Sequence, residues 1–596
     1  MIGNIPPALI FFAAALILPL INDRTRPLLL LGVPVIGMLN LWQLPPESSS
    51  LALRFLEWDL NLLRVDRLSF IFGVIFHLTS FLGFLYALHV RDPIQHIAAL
   101  LYVGSALGAV FAGDLLSFFF FWEMLTISSI FLIWARRTKR ALGAGFRYLM
   151  VHAAGGLCLL AGILLWIKQT GSTTFGFFGL EGNASLLIFI GMGVNCAWPV
   201  LHPWLTDAYP ESTITGTVLL SAFTTKTAVY ALARGFPGAE PLVWIGAVMT
   251  AFPIFYAVIE NDLRRVLSYS LINQVGFMVA GIGIGTHLSI NGAIAHAFND
   301  ILFKALLFMA MGAVMYRTGR ILGTALGGLY RSMPLTCAFC MVGAASISAF
   351  PLFSGFVSKS MIMDAAALGG MRLIWFVLLF ASAGVFHHAG IKIPYFAFFS
   401  HDQGLRPKEA PFHMLLAMGL TAFLCIFIGS YPWPLYSLLP FQDVSYDPYT
   451  PAHVLGQTQL LFFSAMAFAL LLLSGIYPPE QRCVNLDVDW IYRRGGRAFY
   501  VVVTASLRWL TSWLDSLTSG LIIPRIVRLL REGADFAVIL VSRILWTAMG
   551  LSVQERQRRE DDLREGLKSS AMPVGLAVAF AVTLLLIIML ISPGLM

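Results

Sequence analysis

Long apolar blocks separated by short polar stretches recur along this chain. Blocks of about 20 such residues satisfy their backbone in lipid only as helices. The pattern predicts helices over 6–21, 27–43, 70–89, 97–112, 114–135, 145–168, 184–201, 214–234, 241–260, 266–283, 290–315, 333–350, 372–395, 411–431, 457–476 and 572–593, and no strands. The first block follows an uncharged start, so it reads as a retained helix rather than a cleaved leader. Segment 480–550 departs from the pattern. Asp487, Asp489, Trp490 and Tyr492 precede arginines spaced among apolar residues, such as Arg508, Trp509, Trp513, Arg525, Arg528 and Arg531. That spacing predicts a loop and then a long helix lying at a membrane surface or along neighbouring protein. A crossing within 500–530 is the alternative. Residues 551–570 are charged, and a last apolar block forms a C-terminal anchor.

Composition excludes a soluble multidomain chain. Of the 596 residues, 58% are hydrophobic and 12% charged, against about 25% charged in an ordinary globular domain. The net charge of +8 carries information through its location. Arg24 and Arg26, Arg136 to Arg140, Arg264 and Arg265, Arg317 to Arg331, Arg406 and Lys408, and Arg493 to Arg497 fall on alternate connections. The opposite connections near 169–183, 235–240, 284–289 and 432–456 have no Lys or Arg. With the N-terminus outside, these cations fall on the cytoplasmic side, which supports the parity of the spans; a bacterial inner membrane is the expected location. Arg54, Arg64, Arg67 and Lys359 are exceptions. The surplus therefore sets orientation and implies no nucleic-acid partner. The cysteines form no metal-binding group, and Cys337 and Cys340 read as packed thiols. No metal, cofactor or enzymatic site is expected.

Ionisable residues inside apolar blocks are costly unless paired or hydrated, which makes each a functional candidate. Glu123 follows four phenylalanines and a tryptophan, well inside its helix. Asp114, at a helix start, reads as a cap. Lys226 lies midway through 214–234. His296, Asp300 and Lys304 stand at i, i+4 and i+8, so they share one face, and Asp300 can pair with Lys304 one turn on. Lys392 precedes Pro394, which removes a helical hydrogen bond, and an opened helix with a lysine is a way to build an ion site. His387, His388 and His152 are possible secondary relays, since imidazole titrates near neutrality. Asn195 precedes a second proline break at Pro199. It can hold water but cannot carry a proton through a charge cycle.

These residues carry a family likeness. Phe120–Met124, Pro199–Glu211, Lys226–Tyr230, Asp262–Ser270 and Ser354–Lys359 resemble the antiporter-like subunits shared by respiratory complex I, membrane hydrogenases and multisubunit (Mrp-type) Na⁺/H⁺ antiporters, over about 60–430. Lys392–Phe396 and Asn485–Arg493 are most similar to the antiporter D subunit. The resemblance implies an all-α polytopic protein of about 14–16 transmembrane helices, with two inverted five-helix repeats that each contain a broken helix. It implies N-terminal helices in 1–95, half-channels in 96–240 and 241–410, additional helices in 411–480, a cytoplasmic loop and lateral helix in 481–570, and an anchor in 571–596. It gives Glu123, Lys226, Lys304 and Lys392 the roles of early-helix acid, relay lysine, second-half lysine and broken-helix lysine. The family usually has lysine where this chain has Asn195, histidine at Asp300, and Lys-Arg at Arg264-Arg265. The first half-channel is therefore expected to be altered, regulated or silent, and Asp300 adds an acid to the second.

The expected function is proton translocation within a cation/proton antiporter, with Na⁺ as the exchanged cation. Homologous membrane subunits and the bilayer are the expected partners. A redox-driven pump subunit is the first alternative; any redox centre would then lie on partners. A non-conducting structural homologue and a carrier for an organic solute are the others.

Overall fold

The computed structural model describes residues 5–45, 49–55, 58–476, 481 and 485–569. The expected helix over 572–593 lies outside them. The chain divides into two compact units between Val488 and Asp489.

The first unit opens with α1 (Pro7–Ile17) and α2 (Arg26–Gln43), then a hairpin of β1 (Ser49–Phe55) and β2 (Trp58–Arg64). The hairpin corrects the expectation of a strandless chain. Its strands pair antiparallel, Ser49 opposite Arg64 and Phe55 opposite Trp58. α3 (Arg67–Tyr86) follows, with Asp66 and Ser69 forming a reciprocal capping box at its start. Asp66 also takes two bonds from Arg234, both 2.8 Å, and Arg64 lies 3.3 Å away. Arg64 thus shares the Asp66 carboxylate with Arg234 at its own end of the helices. Burial pulls the Asp66 carboxyl upward, but bonding and charge from Arg234, the Ser69 N–H and Arg64 win, holding it below its ordinary value. Such a carboxylate stabilises the fold fully above the ordinary carboxylate pKa of about 4, and the stabilisation is lost as pH falls through the lower folded value. Replacing Asp66 with alanine removes the cap and the ion pair together. Thermal melting in detergent at pH 7 is expected to show a loss of about 2–4 kcal/mol, shrinking below pH 4.

α4 (Pro93–Phe111), α5 (Leu115–Trp134), α6 (Lys139–Thr170), α7 (Gly182–Asn195), α8 (Pro203–Ala208), α9 (Ile214–Ala222) and α10 (Thr224–Gly235) come next. Then come α11 (Glu240–Ile259), α12 (Leu263–Ile284), α13 (His287–Thr318), α14 (Pro334–Ile347), α15 (Ser354–Leu368) and α16 (Arg372–Val385), which continues as wide π turns over Phe386–Lys392 and Tyr395–Phe399. Local devices recur between these two runs. Asp114 caps α5 through the N–H groups of Leu116 and Ser117, and Asp262 caps α12 through those of Arg264 and Arg265. α6 and α13 both span 32 residues, from a threonine cap (Thr138, Thr286) to a left-handed glycine (Gly171, Gly319). Each of these pairs stands 148 residues apart.

The breaks recur as well. Between α7 and α8, Ala197 and Val200 have φ of 58° and 72°; between α14 and α15, Ala349 and Leu352 have 56° and 73°. The two segments read Ala-Trp-Pro-Val and Ala-Phe-Pro-Leu. Left-handed non-glycine residues cost about 1–3 kcal/mol each and persist where surrounding structure over-determines them, often at functional sites. The partner of the Pro199 break is therefore the Pro351 break, and not Pro394 as expected. At Pro394 the helix widens into π turns and continues. α15 was not among the expected helices, and α9 and α10 divide at Phe223 what was expected as one.

α17 (Phe412–Ser430), α18 (Trp433–Tyr436) and α19 (Pro451–Leu473) complete the spans of this unit. Among the described residues, ten helices are long and apolar enough to cross a membrane. α13 forms the axis, with 26 buried residues from Ser289 to Val314. The second unit is helical: α20 (Asp489–Asp515), π turns over Ser516–Ile522, α21 (Ile523–Ala548) and α22 (Val553–Ser569). The first three form one uninterrupted helical run of about 90 Å at 1.5 Å per residue. This agrees with the long helix expected, and α20 is not among the candidate spans.

Candidate functional site

Four lysines are buried in the first unit: Lys226, Lys304, Lys359 and Lys392. A buried ammonium needs compensation, and three of these find it at a helix end. The last carbonyls of a helix lack N–H partners and carry the negative pole of its dipole. Lys226 donates to Ser221 O (2.9 Å), beside the kink that divides α9 from α10. Lys359 donates across the second break to Ile347 O, the last residue of α14, at 3.2 Å, with its ammonium 4.9 Å above the Phe277 ring. Lys392 donates to three carbonyls at the end of α11: Val258 (2.6 Å), Glu260 (2.7 Å) and Ala257 (3.2 Å). Lys304 instead donates to Ser270 Oγ at 2.6 Å.

Asp300 stands among them. Its Oδ2 lies 2.6 Å from Lys226 Nζ, and both side chains are fully buried. Neither carboxylate oxygen has a donor in hydrogen-bonding alignment, so the contact is a close ion pair rather than a directed bond. The expected partner one turn along α13, Lys304, is replaced by a lysine from α10. The change of partner arises because a residue in the axial helix meets helices on every side. The pair therefore ties the second run of helices to the first.

His296 accepts from Ser358 Oγ at Nδ1 (3.0 Å) and donates from Nε2 to Gln274 Oε1 (3.1 Å). Gln274 in turn donates to Asn273 Oδ1 at 2.6 Å. Lys226, Lys304 and Lys359 are all within Coulombic reach of His296. His388 is within reach of both Lys304 and Lys392, and neither of its ring nitrogens has a hydrogen-bond partner among the described residues. His387 packs edge-on against Phe468. The structure thus brings together Lys226, Asp300, Lys304, His296, His388 and Lys392.

Glu123 stands apart from that set. It is half-buried, and its carboxylate presses on Gly156 so closely that a methyl group there would collide with it. His152 is stacked on Tyr148 (3.9 Å) and edge-on to Trp204 (4.4 Å). Asn195 is buried at the first break with neither amide atom bonded among the described residues. Polar atoms of Trp122, His152, Trp198, His202, Thr225 and Thr227 likewise lack hydrogen-bond partners among the described residues. Leaving each dry would cost about 1–3 kcal/mol, so the set marks polar space able to hold water.

Sequence reasoning placed Lys359 in a loop. It lies inside α15, and a half-open crevice of about 390 Å³ reaches it between α15, α16 and α19. Asp364 at that crevice holds His453 (2.8 Å) and Tyr446 (3.0 Å). The repeated Ala-aromatic-Pro-aliphatic pattern was the signal that could have found it.

Comparison with known proteins finds similar chains. Residues 112–386 match the family described as NADH:quinone oxidoreductase/Mrp antiporter, transmembrane. Hydrogenase-4 component B of Escherichia coli is 28% identical over 415 residues, 62% of this chain and 62% of that protein. The Na⁺/H⁺ antiporter A subunit of Alkalihalophilus pseudofirmus is 28% identical over 422 residues, 62% of this chain and 52% of that protein. The solved Mrp complex from Dietzia sp. DQ12-45-1b superposes with a TM-score of 0.73 at 22% identity, covering 91% of this chain and 62% of that one. The chain therefore spans about three fifths or less of the length of these relatives.

Proposed function

We propose, from a multi-pass membrane chain whose residues 112–386 match the family shared by NADH:quinone oxidoreductases and Mrp antiporters, that it is the proton-translocating subunit of a multisubunit Na⁺/H⁺ antiporter. The carrying observation is the buried Lys226–Asp300 pair at the head of a line of titratable groups ending at Lys392. Protonation of one buried lysine weakens its neighbour's hold on a proton, because like charges repel strongly at low effective dielectric. A carboxylate that can turn from one lysine to another lets that repulsion pass along the line. Helix-end carbonyls hold the ammonium groups of Lys226, Lys359 and Lys392, and the Ser270 hydroxyl that of Lys304.

The reading takes the recurrence at 148 residues as two inverted five-helix repeats, an odd number of crossings turning the second upside down. It takes the arginine-rich ends as cytoplasmic, and other membrane subunits, homologous ones included, as partners. Glu123 and His152 are a peripheral branch, joined to the line through water held by the unpartnered atoms around Asn195. The hydrogenase relative supports a second reading, a pump subunit driven by electron transfer elsewhere in its complex. A Na⁺ gradient against an electron donor, applied to the same vesicles, separates the two.

Vesicles carrying the complete assembly test the line itself. Replacing Lys392 with alanine leaves the α11 carbonyls without their cation. Cation-dependent proton flux is expected to fall at least tenfold with the assembly intact. Flux equal to the parent's makes Lys392 a structural cap.

A further inference from the structure

The first break carries Asn195, which cannot be charged, yet a histidine lies seven residues on. His202 is buried just before α8. Its Nε2 lies 3.1 and 3.2 Å from the two carboxylate oxygens of Asp487. Asp487 belongs to none of the spans. It is on the segment 485–488, which leads into the long helix, yet its side chain is only 6% exposed. The carboxylate also accepts from Tyr269 Oη at 2.7 Å and from the Val488 N–H at 2.6 Å. Two residues earlier, Asn485 donates to Glu260 Oε2 at 3.1 Å, and the carbonyl of that same Glu260 is one of the three that hold Lys392. The segment thus touches the first break with one residue and the Lys392 cradle with another.

A carboxylate so placed has a defined effect on an imidazole. Burial pulls the Asp487 carboxyl upward, but His202, Tyr269 and the Val488 N–H outweigh it and hold it below the ordinary range. It is therefore ionised at neutral pH and acts as an acceptor. A neutral His202 must then carry its proton on Nε2, which leaves the lone pair on Nδ1. Nδ1 is buried and has no hydrogen-bond partner among the described residues. It is the nitrogen left to take a proton from inside, and the imidazolium so formed is stabilised by the carboxylate at its other end. Other charged groups around the pair are fixed. Arg265 is balanced by Glu260, Asp262 and Asp207, which act on it together with Tyr269, and Lys392 is held by carbonyls.

We propose that His202 is the proton acceptor of the first half of the fold, in the place Asn195 leaves unfilled, and that Asp487, supplied from outside the spans, is its positioning residue. This rests on the proton-path reading above. It also gives the segment before the long helix a role: withdrawing it frees His202 from its carboxylate and Glu260 from Asn485 together.

The test uses the complete assembly in vesicles, with cation-driven proton flux followed from about pH 6 to 9 for H202Q, D487N, D487E and the double variant H202Q/D487N. D487N and H202Q are each expected to lose about tenfold, and the double variant no more than about twofold beyond H202Q. D487E, which keeps the charge, is expected to return to within about threefold of the parent. Losses that multiply in the double variant, or D487N flux that matches the parent's, overturn the proposal. If D487N fails to assemble, H202Q and D487E decide: parental flux in H202Q overturns it, and a tenfold loss there with D487E unimpaired supports it. D300N, run alongside, keeps the two readings distinct. Flux retained in D300N sinks the Lys226–Lys392 line, whereas flux lost in D300N but kept in D487N and H202Q sinks this inference alone.

Discussion

Replacing Asp300 with asparagine is expected to reduce cation-driven proton flux about a hundredfold, equivalent to about 2.7 kcal/mol. Asparagine keeps the shape and removes the charge. Lys226 then has the Ser221 carbonyl and no anion. An ammonium left alone in so closed a site costs about 3–5 kcal/mol, unless it gives up its proton. Either way the buried charge pair on which the proposed cycle depends is lost. Lys304 and Lys359, which share the same field, lose their anion with it. Flux measured at equal assembly content is the readout, and a loss under about threefold would refute the central place given to this carboxylate. Replacing Lys226 with methionine in the same background should add little, because the pair acts as one unit.

A substitution at Gly355, far smaller in chemistry, is expected to be as damaging. Gly355 is the second residue of α15, and a Cβ there would strike the backbone carbonyl of Ser346, near the end of α14. Backbone cannot rotate aside as a side chain does. The two half-helices would have to part, and Ala349 and Leu352 between them already hold left-handed conformations. Gly355→Ala is expected to cost more than about 3 kcal/mol. Intact assembly at about 37 °C should fall at least fivefold, and the surviving fraction should melt earlier in detergent. Gly495→Ala supplies the control. That glycine lies in α20 with nothing within 4 Å of an added Cβ, so alanine there should be neutral or slightly stabilising.

Much of the architecture was legible in the sequence because the membrane imposes one rule on every span. Apolar blocks of the right length, and the polar caps between them, located most helices. The titratable residues stood out because they interrupt those blocks. What failed to show was partnership. The spacing of His296, Asp300 and Lys304 gave their common helix, but an i, i+4 rule sees only one helix, and the acid pairs with α10. Pro394 read as a break because a proline removes a hydrogen bond, yet π turns carry the backbone past it. Lys359 escaped notice because α15 is only 15 residues long and begins Ser-Gly directly after a proline turn, which reads as a loop. The β1–β2 hairpin was missed because its short alternation lies between two long apolar blocks that dominated the reading.

The matched lengths of α6 and α13 have an electrical consequence. Each runs 32 residues, and His152 and Asp300 are each the fourteenth. At 1.5 Å per residue that point lies within about 4 Å of the middle of its helix, whichever way the helix runs. For a helix centred in the bilayer, a voltage therefore divides nearly evenly about both positions. Since a whole crossing is worth about 2.3 kcal/mol per charge at 100 mV, a proton that reaches either depth on the proposed path has gained or spent about half of that.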